Sequence, residues 1–178
     1  MRESSDYILR GIQTSLAEDI ENTDKFVDLI LGARKVYLYG VGRSGLIAKA
    51  FAIRLVQMGL EVFFVGETVT PIVEEGNVVI IVSYTGETMS AIQTANIVRR
   101  VGAKVVAITA HGHSKIAAAS NLVIQIDTPK DEDRKRLAPL GTLFEDATLI
   151  YLDGIVAMLM EKLGQSEGSM RKRHAIWV

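Results

Sequence analysis

Apolar residues recur at helical spacing between Asp6 and Leu31, at Ile8, Ile12, Leu16, Ile20, Val27 and Ile30, which predicts one long helix or two broken near Asn22. The pattern then changes. Five runs rich in β-branched residues follow, Lys35 to Tyr39, Glu61 to Val65, Val78 to Val82, Lys104 to Thr109 and Leu122 to Ile126. Helix-length segments separate several of them, so the prediction is an α/β fold with a five-stranded parallel sheet flanked by helices. After a charged stretch, Leu149, Leu152, Ile155, Val156, Leu159 and Leu163 mark the apolar stripe of a last helix. The expected organisation is one domain over 1–178, with an N-terminal helix at 6–31, an α/β core at 35–126, a C-terminal helix at 142–163 and a tail at 165–178.

Five strands interleaved with helices most often wind in the order 2-1-3-4-5, and ligands bind where that order reverses, between strands one and three. Those two strands lead into special turns. Gly40-Val41-Gly42-Arg43-Ser44-Gly45 and Ser83-Tyr84-Thr85-Gly86-Glu87-Thr88 each follow a hydrophobic run and each open a helix-patterned stretch. Glycine lets backbone N–H groups approach a ligand, a helix N-terminus adds partial positive charge, and Ser or Thr hydroxyls complete the shell around a phosphate. The strand-helix units that carry the turns, Val36 to Gly59 and Val79 to Gly102, have the same length and end on a glycine where a helix C-cap is wanted. Two such turns converging at one switch point predict a phosphorylated ligand held from both sides.

Charge narrows the partner. The net charge is −1 with acids and bases interspersed, so no one-signed basic face favours nucleic acid or an anionic membrane, and a small solute is expected. The absence of cysteine excludes disulfides, thiolate metal sites and cysteine nucleophiles. Met1 to Asp6 lacks an apolar signal core and no apolar run reaches the length of a membrane span, so a cytoplasmic location is expected.

Several residues carry two readings. Gly40 to Gly45 also fits the dinucleotide pattern G-x-G-x-x-G, with Glu61 or Glu67 near the spacing of a ribose-binding acid. A nicotinamide site, however, has no need of a second hydroxyl-rich turn. Thr142-Leu143-Phe144-Glu145 fits a capping box, while a carboxylate at that helix start can also shuttle a proton between adjacent carbons of a phosphosugar. Arg43 either meets a substrate oxygen or faces solvent. His111 and His113 lack an obvious third ligand, so they read as a polar loop and no metal site is expected. The stretch 128–136 reads as a solvated connection. At the C-terminus, the basic Arg171 to His174 precedes an apolar Ala175-Ile176-Trp177-Val178, which suggests docking onto a neighbouring subunit.

Taken together, Gly42-x-Ser44-Gly45 followed by Ser83-x-Thr85-Gly86-Glu87-Thr88 resembles the paired phosphate-binding signature of sugar-isomerase (SIS) domains. Val65 to Pro71, Pro139 to Glu145 and Arg173-His174 extend the resemblance to the 6-phospho-3-hexuloisomerase branch over nearly the whole chain. The resemblance implies interconversion of D-arabino-3-hexulose 6-phosphate and fructose 6-phosphate without a cofactor, in the ribulose monophosphate route, by a homo-oligomer, commonly a tetramer. It implies substrate binding by Gly42, Arg43, Ser44, Gly45, Ser83, Tyr84, Thr85, Gly86 and Thr88. It also assigns Glu145 as the base and His174 as a helper from another subunit. Tyr84 departs from the smaller or amide residue that many relatives carry there, and only its backbone N–H keeps the expected role. The alternatives within the resemblance are another phosphosugar isomerase and a sugar-phosphate sensor that binds without turnover; sensors of this kind usually carry a DNA-binding domain.

Overall fold

A run such as Val78 to Val82, apolar at every position, suits a strand with both faces covered. It forms the middle of the sheet. In the computed structural model, which describes residues 1–175, the strands are β1 (Val36–Gly40), β2 (Val62–Phe64), β3 (Val78–Val82), β4 (Lys104–Thr109) and β5 (Leu122–Gln125). The helices are α1 (Arg2–Ser15), α2 (Thr23–Gly32), α3 (Gly42–Gln57), α4 (Met89–Arg100), α5 (Lys115–Ala118), α6 (Arg134–Leu137), α7 (Thr142–Lys162) and α8 (Glu167–Arg171). The sheet is parallel throughout in the order β2-β1-β3-β4-β5, as expected.

Period-two alternation sorts the strand side chains between two cores. Val36, Leu38, Val78, Ile80, Val106, Ile108 and Ile124 face the layer of α1, α2, α3 and α7, where they meet Phe26, Phe51, Phe144 and Ile155. Tyr37, Val79, Ile81, Val105 and Ala107 face α4 and α5, against Ala91, Ala95, Val98 and Ile116. The register aligns Gly40 with Val82, so β1 and β3 end side by side and deliver their two turns to the same edge.

The equal-length units are built alike. Gly59 (φ 91) and Gly102 (φ 80) adopt the left-handed conformation just past α3 and α4. The next N–H groups, Leu60 to Leu55 O and Ala103 to Val98 O, close the same reciprocal pattern over the last helical carbonyls.

Of the two N-terminal alternatives the segment takes the second, two helices separated ahead of Asn22, while three details need correction. The first helix starts at Arg2 rather than Asp6. Left-handed Asn22 (φ 67) breaks the path, and its side chain donates to Val123 O at 3.3 Å. The second strand is shorter than Glu61 to Val65, covering only Val62–Phe64. The charged 128–136 stretch is more than a solvated connection, because it leads into α6, which docks on α1. Arg136 bonds both carboxylate oxygens of Glu3 (3.1 and 2.7 Å), Ser4 Oγ donates to Leu137 O (2.6 Å), and Tyr7 donates to Asp131 (2.7 Å). Among the described residues no helix is long and apolar enough to cross a membrane.

Candidate active site

The first turn is tight because glycine permits it. A Cβ on Gly45 would lie 2.5 Å from Gly40 O, and one on Gly40 would lie 2.8 Å from Gly45 N, so β1 and the start of α3 touch backbone to backbone. Gly42 (φ 59) occupies the left-handed region. The N-cap of α3 is Val41, whose side chain offers no acceptor, so the leading N–H groups of a sixteen-residue helix are left for a ligand.

The second turn is held from β4 and α5. Ser83 N donates to Ile108 O (3.0 Å), Ala110 N to Tyr84 O (3.2 Å) and Ile116 N to Gly86 O (3.0 Å). Gly86 (φ 66) packs so closely on Ser114 that a Cβ would collide with it. Glu87 accepts Lys115 N at 3.0 Å and pairs with Lys115 Nζ at 2.7 Å; those hydrogen bonds lower its carboxyl pKa. Thr88 is the N-cap of α4, yet its hydroxyl lies 3.3 Å from Ser83 Oγ instead of capping its own helix. Between the turns is a cavity of about 130 Å³ lined by Val41, Ser44, Val82, Ser83, Tyr84, Thr85, Thr88 and Ala91. Two helix N-termini and four hydroxyls converge there.

Glu145 stands beside this cavity, and the capping box is not formed. Left-handed Leu140 (φ 59) makes Gly141 the N-cap, without a side-chain cap bond, so Glu145 falls one position too late to cap the helix. Thr142 Oγ1 instead donates to Pro139 O at 2.7 Å. The Glu145 side chain, only 10% exposed, takes a hydrogen bond from Ser44 Oγ at 3.3 Å on one oxygen and pairs with Arg43 Nη1 at 3.1 Å on the other. Arg43 also reaches Asp146 Oδ1 at 2.7 Å and Thr142 Oγ1 at 3.2 Å. The turn whose backbone N–H groups are left uncapped thus presents its side chains to a buried carboxylate. Asp146 was not singled out from sequence, and Thr142 only as the start of a capping box; a side-chain partner about a hundred residues away leaves no local signal.

The remaining candidates separate. His174 is exposed and lines a groove on α3 with Lys49, Ile53, Val56 and Phe64, apart from the cavity at Ser44 and Ser83. Arg173 anchors this tail by donating to Gln57 O at 3.2 Å, and Gln57 lies about 20 Å along the helix axis from Ser44 at about 1.5 Å per residue. The predicted docking of the apolar C-terminus falls partly on residues 176–178, outside the described residues. His111 and His113 line a second opening with Thr85 and Lys130. Among the described residues no cluster of three or more His, Asp or Glu has metal-binding geometry. Of the acids weighed for a dinucleotide, Glu61 precedes β2, at the opposite edge of the sheet from the glycine turn, and Glu67 pairs with Lys49 at 2.7 Å.

Residues 29–149 match the SIS domain family. A Bacillus subtilis protein named 3-hexulose-6-phosphate isomerase is 40% identical over 159 residues, 87% of this chain and 86% of its own length. A hypothetical protein of Methanococcus jannaschii, whose crystal structure led to the inference of 3-hexulose-6-phosphate isomerase function, superposes with a TM-score of 0.85. It is 32% identical, and the match covers 98% of this chain and 97% of that one. An Escherichia coli protein shares the fold with a TM-score of 0.84 at 21% identity, covering 98% of this chain and 95% of that one.

Proposed function

The chain belongs to the SIS domain family, and from that premise we propose that it interconverts D-arabino-3-hexulose 6-phosphate and fructose 6-phosphate. The observation that carries the reading is the hydrogen bond from Ser44, in the anion-binding turn, to buried Glu145. It couples a phosphate cradle to a carboxylate that can move a proton. The isomerase names of relatives matched over most of the chain support the substrate class.

In this mechanism the phosphate is held by the N-termini of α3, with the Ser44 N–H, and of α4, and by the hydroxyls of Ser83, Thr85 and Thr88, while the Ser44 hydroxyl keeps its bond to Glu145. With the open-chain ketose bound, Glu145 removes the proton from C3 of fructose 6-phosphate. The electron pair forms the C2–C3 double bond and leaves charge on the C2 oxygen, giving a cis-enediolate. Glu145 returns the proton to C2, the O3 proton passes to O2, and the carbonyl now stands at C3. Arg43, 3.1 Å from Glu145, is suited to donate to the enediolate oxygen, a role typically worth about 100- to 1,000-fold. Nothing in this sequence of steps calls for a cofactor.

The test is turnover of fructose 6-phosphate in an assay coupled to 3-hexulose-6-phosphate synthase, with release of ribulose 5-phosphate and formaldehyde as the readout. Turnover by the wild-type chain supports the reading; binding without turnover makes it a sensor domain. Ser83→Ala, Thr85→Ala and Thr88→Ala are each expected to raise KM about ten- to a hundredfold, since each removes a hydrogen bond to a charged group. Unchanged KM in all three rejects the cradle.

The reading includes a homotetramer in the cytoplasm, acting in the ribulose monophosphate route, with His174 opening the sugar ring in a neighbour's site. Exposed Leu46, Ile53 and Val56 on α3 and Val69, Ile72 and Leu140 on loops give apolar surface for contacts between copies. The distance of the Arg173 anchor from Ser44 favours action in trans. His174→Ala is expected to lose activity, and co-refolding it with Glu145→Gln is expected to restore part of it, because mixed interfaces then contain one complete site. Hetero-oligomers without recovery would assign His174 to its own chain or to packing.

A further inference from the structure

The charged segment after β5 sends one side chain to the active site. Arg134 Nη1 donates to the Tyr84 hydroxyl at 2.5 Å. The Tyr84 ring lines the phosphate cavity and stands 5.4 Å from the ring of Phe144, the residue before Glu145. On its other side is the His111 ring, at 5.8 Å. Gly141, at the start of α7, is the point where the wall and the carboxylate meet. A Cβ built there would be 3.4 Å from Tyr84 Cδ1 and 3.4 Å from the Glu145 carboxyl carbon.

Arg134 is itself held. Its backbone N–H donates to Asp131 Oδ1 at 3.0 Å, and Asp131 accepts the Tyr7 hydroxyl at 2.7 Å. Two residues on, Arg136 is tied to Glu3 of α1. The guanidinium thus reaches Tyr84 from an element fixed to another helix, which lets it act as a brace on the ring.

The geometry points to Arg134 as a positioning residue: by bracing Tyr84 against Gly141 and Phe144, it sets the spacing between the phosphate cradle and Glu145. With the phosphate anchored at C6, that spacing selects which carbons meet the carboxylate, so the brace is a determinant of C2–C3 specificity. This rests on the isomerase reading above. A misplacement of about 1 Å in such a pairing can cost about 100-fold in rate, whereas the phosphate contacts themselves do not pass through Arg134.

The test is a double-mutant cycle of Tyr84→Phe and Arg134→Met with fructose 6-phosphate. Each single variant is expected to lower kcat about ten- to a hundredfold while KM stays within about a factor of two. The double variant should be no slower than the slower single, because both remove one brace. Arg134→Lys, which keeps one donor, should recover part of the rate. Lys135→Met, an exposed position in the same helix that takes no part in the brace, should leave kcat unchanged. Multiplicative losses, a rise in KM at constant kcat, or full activity of Arg134→Met would each overturn the proposal. The wild-type assay judges the isomerase reading separately. The brace also has a readout that needs no turnover: the Tyr84 ring-flip rate by NMR of labelled tyrosine, with the signal identified by its loss in Tyr84→Phe. Arg134→Met should accelerate the flips, and an unchanged rate rejects the brace whatever the activity.

Discussion

Glu145→Gln is expected to retain the fold and fructose 6-phosphate binding while turnover falls at least about 100-fold. The amide keeps the volume of the side chain and still accepts a hydrogen bond from Ser44, but it cannot take up and return a carbon-bound proton. Because Glu145 does not cap α7, no capping bond is lost with the carboxylate. The change does release Arg43 from one of its two carboxylate partners, but Asp146 still holds the guanidinium. The discriminating measurements are kcat, the calorimetric affinity for fructose 6-phosphate and the thermal midpoint, taken on one preparation. A fall in kcat alone supports the base, whereas a lower midpoint with normal turnover per folded chain returns Glu145 to a packing role. Incorporation of solvent deuterium by the wild type, absent in the variant, would further support the enediolate.

Gly45→Ala should be damaging out of proportion to the single methyl group it adds. The added carbon would sit 2.5 Å from Gly40 O, a main-chain atom in β1 that is tied into the central sheet. Relief requires α3 to back away from β1, which moves the Gly42 to Ser44 N–H groups off the proposed phosphate position and Ser44 off Glu145. Overpacking of this kind costs about 1–3 kcal/mol of stability, and KM should rise at least about tenfold if one charged hydrogen bond is lost. Gly154→Ala is the contrasting substitution. It lies inside α7 with nothing beyond its own stretch of helix within 4 Å of the new methyl, so it should gain up to about 1 kcal/mol from helix propensity. Urea titrations and KM values for both variants check the pair, and equal behaviour would remove the close-approach argument.

The close approach at Gly45 belongs to the part of the architecture that was legible in the sequence. The strand runs, the equal-length units and the two hydroxyl-bearing turns are local patterns set by period, glycine and capping chemistry, and the order 2-1-3-4-5 follows from the topological habits of such units. The convergence of the turns could therefore be anticipated. The surroundings of Glu145 could not. Thr142-Leu143-Phe144-Glu145 satisfies the capping-box pattern, but the left-handed Leu140 shifts the helix start by one residue and frees the carboxylate for partners on α3. Asp146 and Thr142 join through Arg43, a contact of side chains far apart in the chain. Arg134 is the extreme case: within a run of mixed charges nothing distinguishes the residue that reaches Tyr84 from the neighbours that face solvent.

The union of α1 with α6 has a consequence for how the site is completed. Its bonds, Glu3 to Arg136 and Ser4 to Leu137, each span 133 residues, so they close one of the largest loops in the chain. Contacts across such a loop carry a closure entropy that local contacts do not. Only Gly11 and Ile12 of α1 are buried, which makes this helix a candidate for the lowest-energy local opening of the molecule. If α1 detaches, α6 loses these bonds while the central sheet keeps its own ladder. The chain would then pass through a state that still captures phosphosugar but aligns it poorly, so that binding and turnover are governed by two different cooperative units.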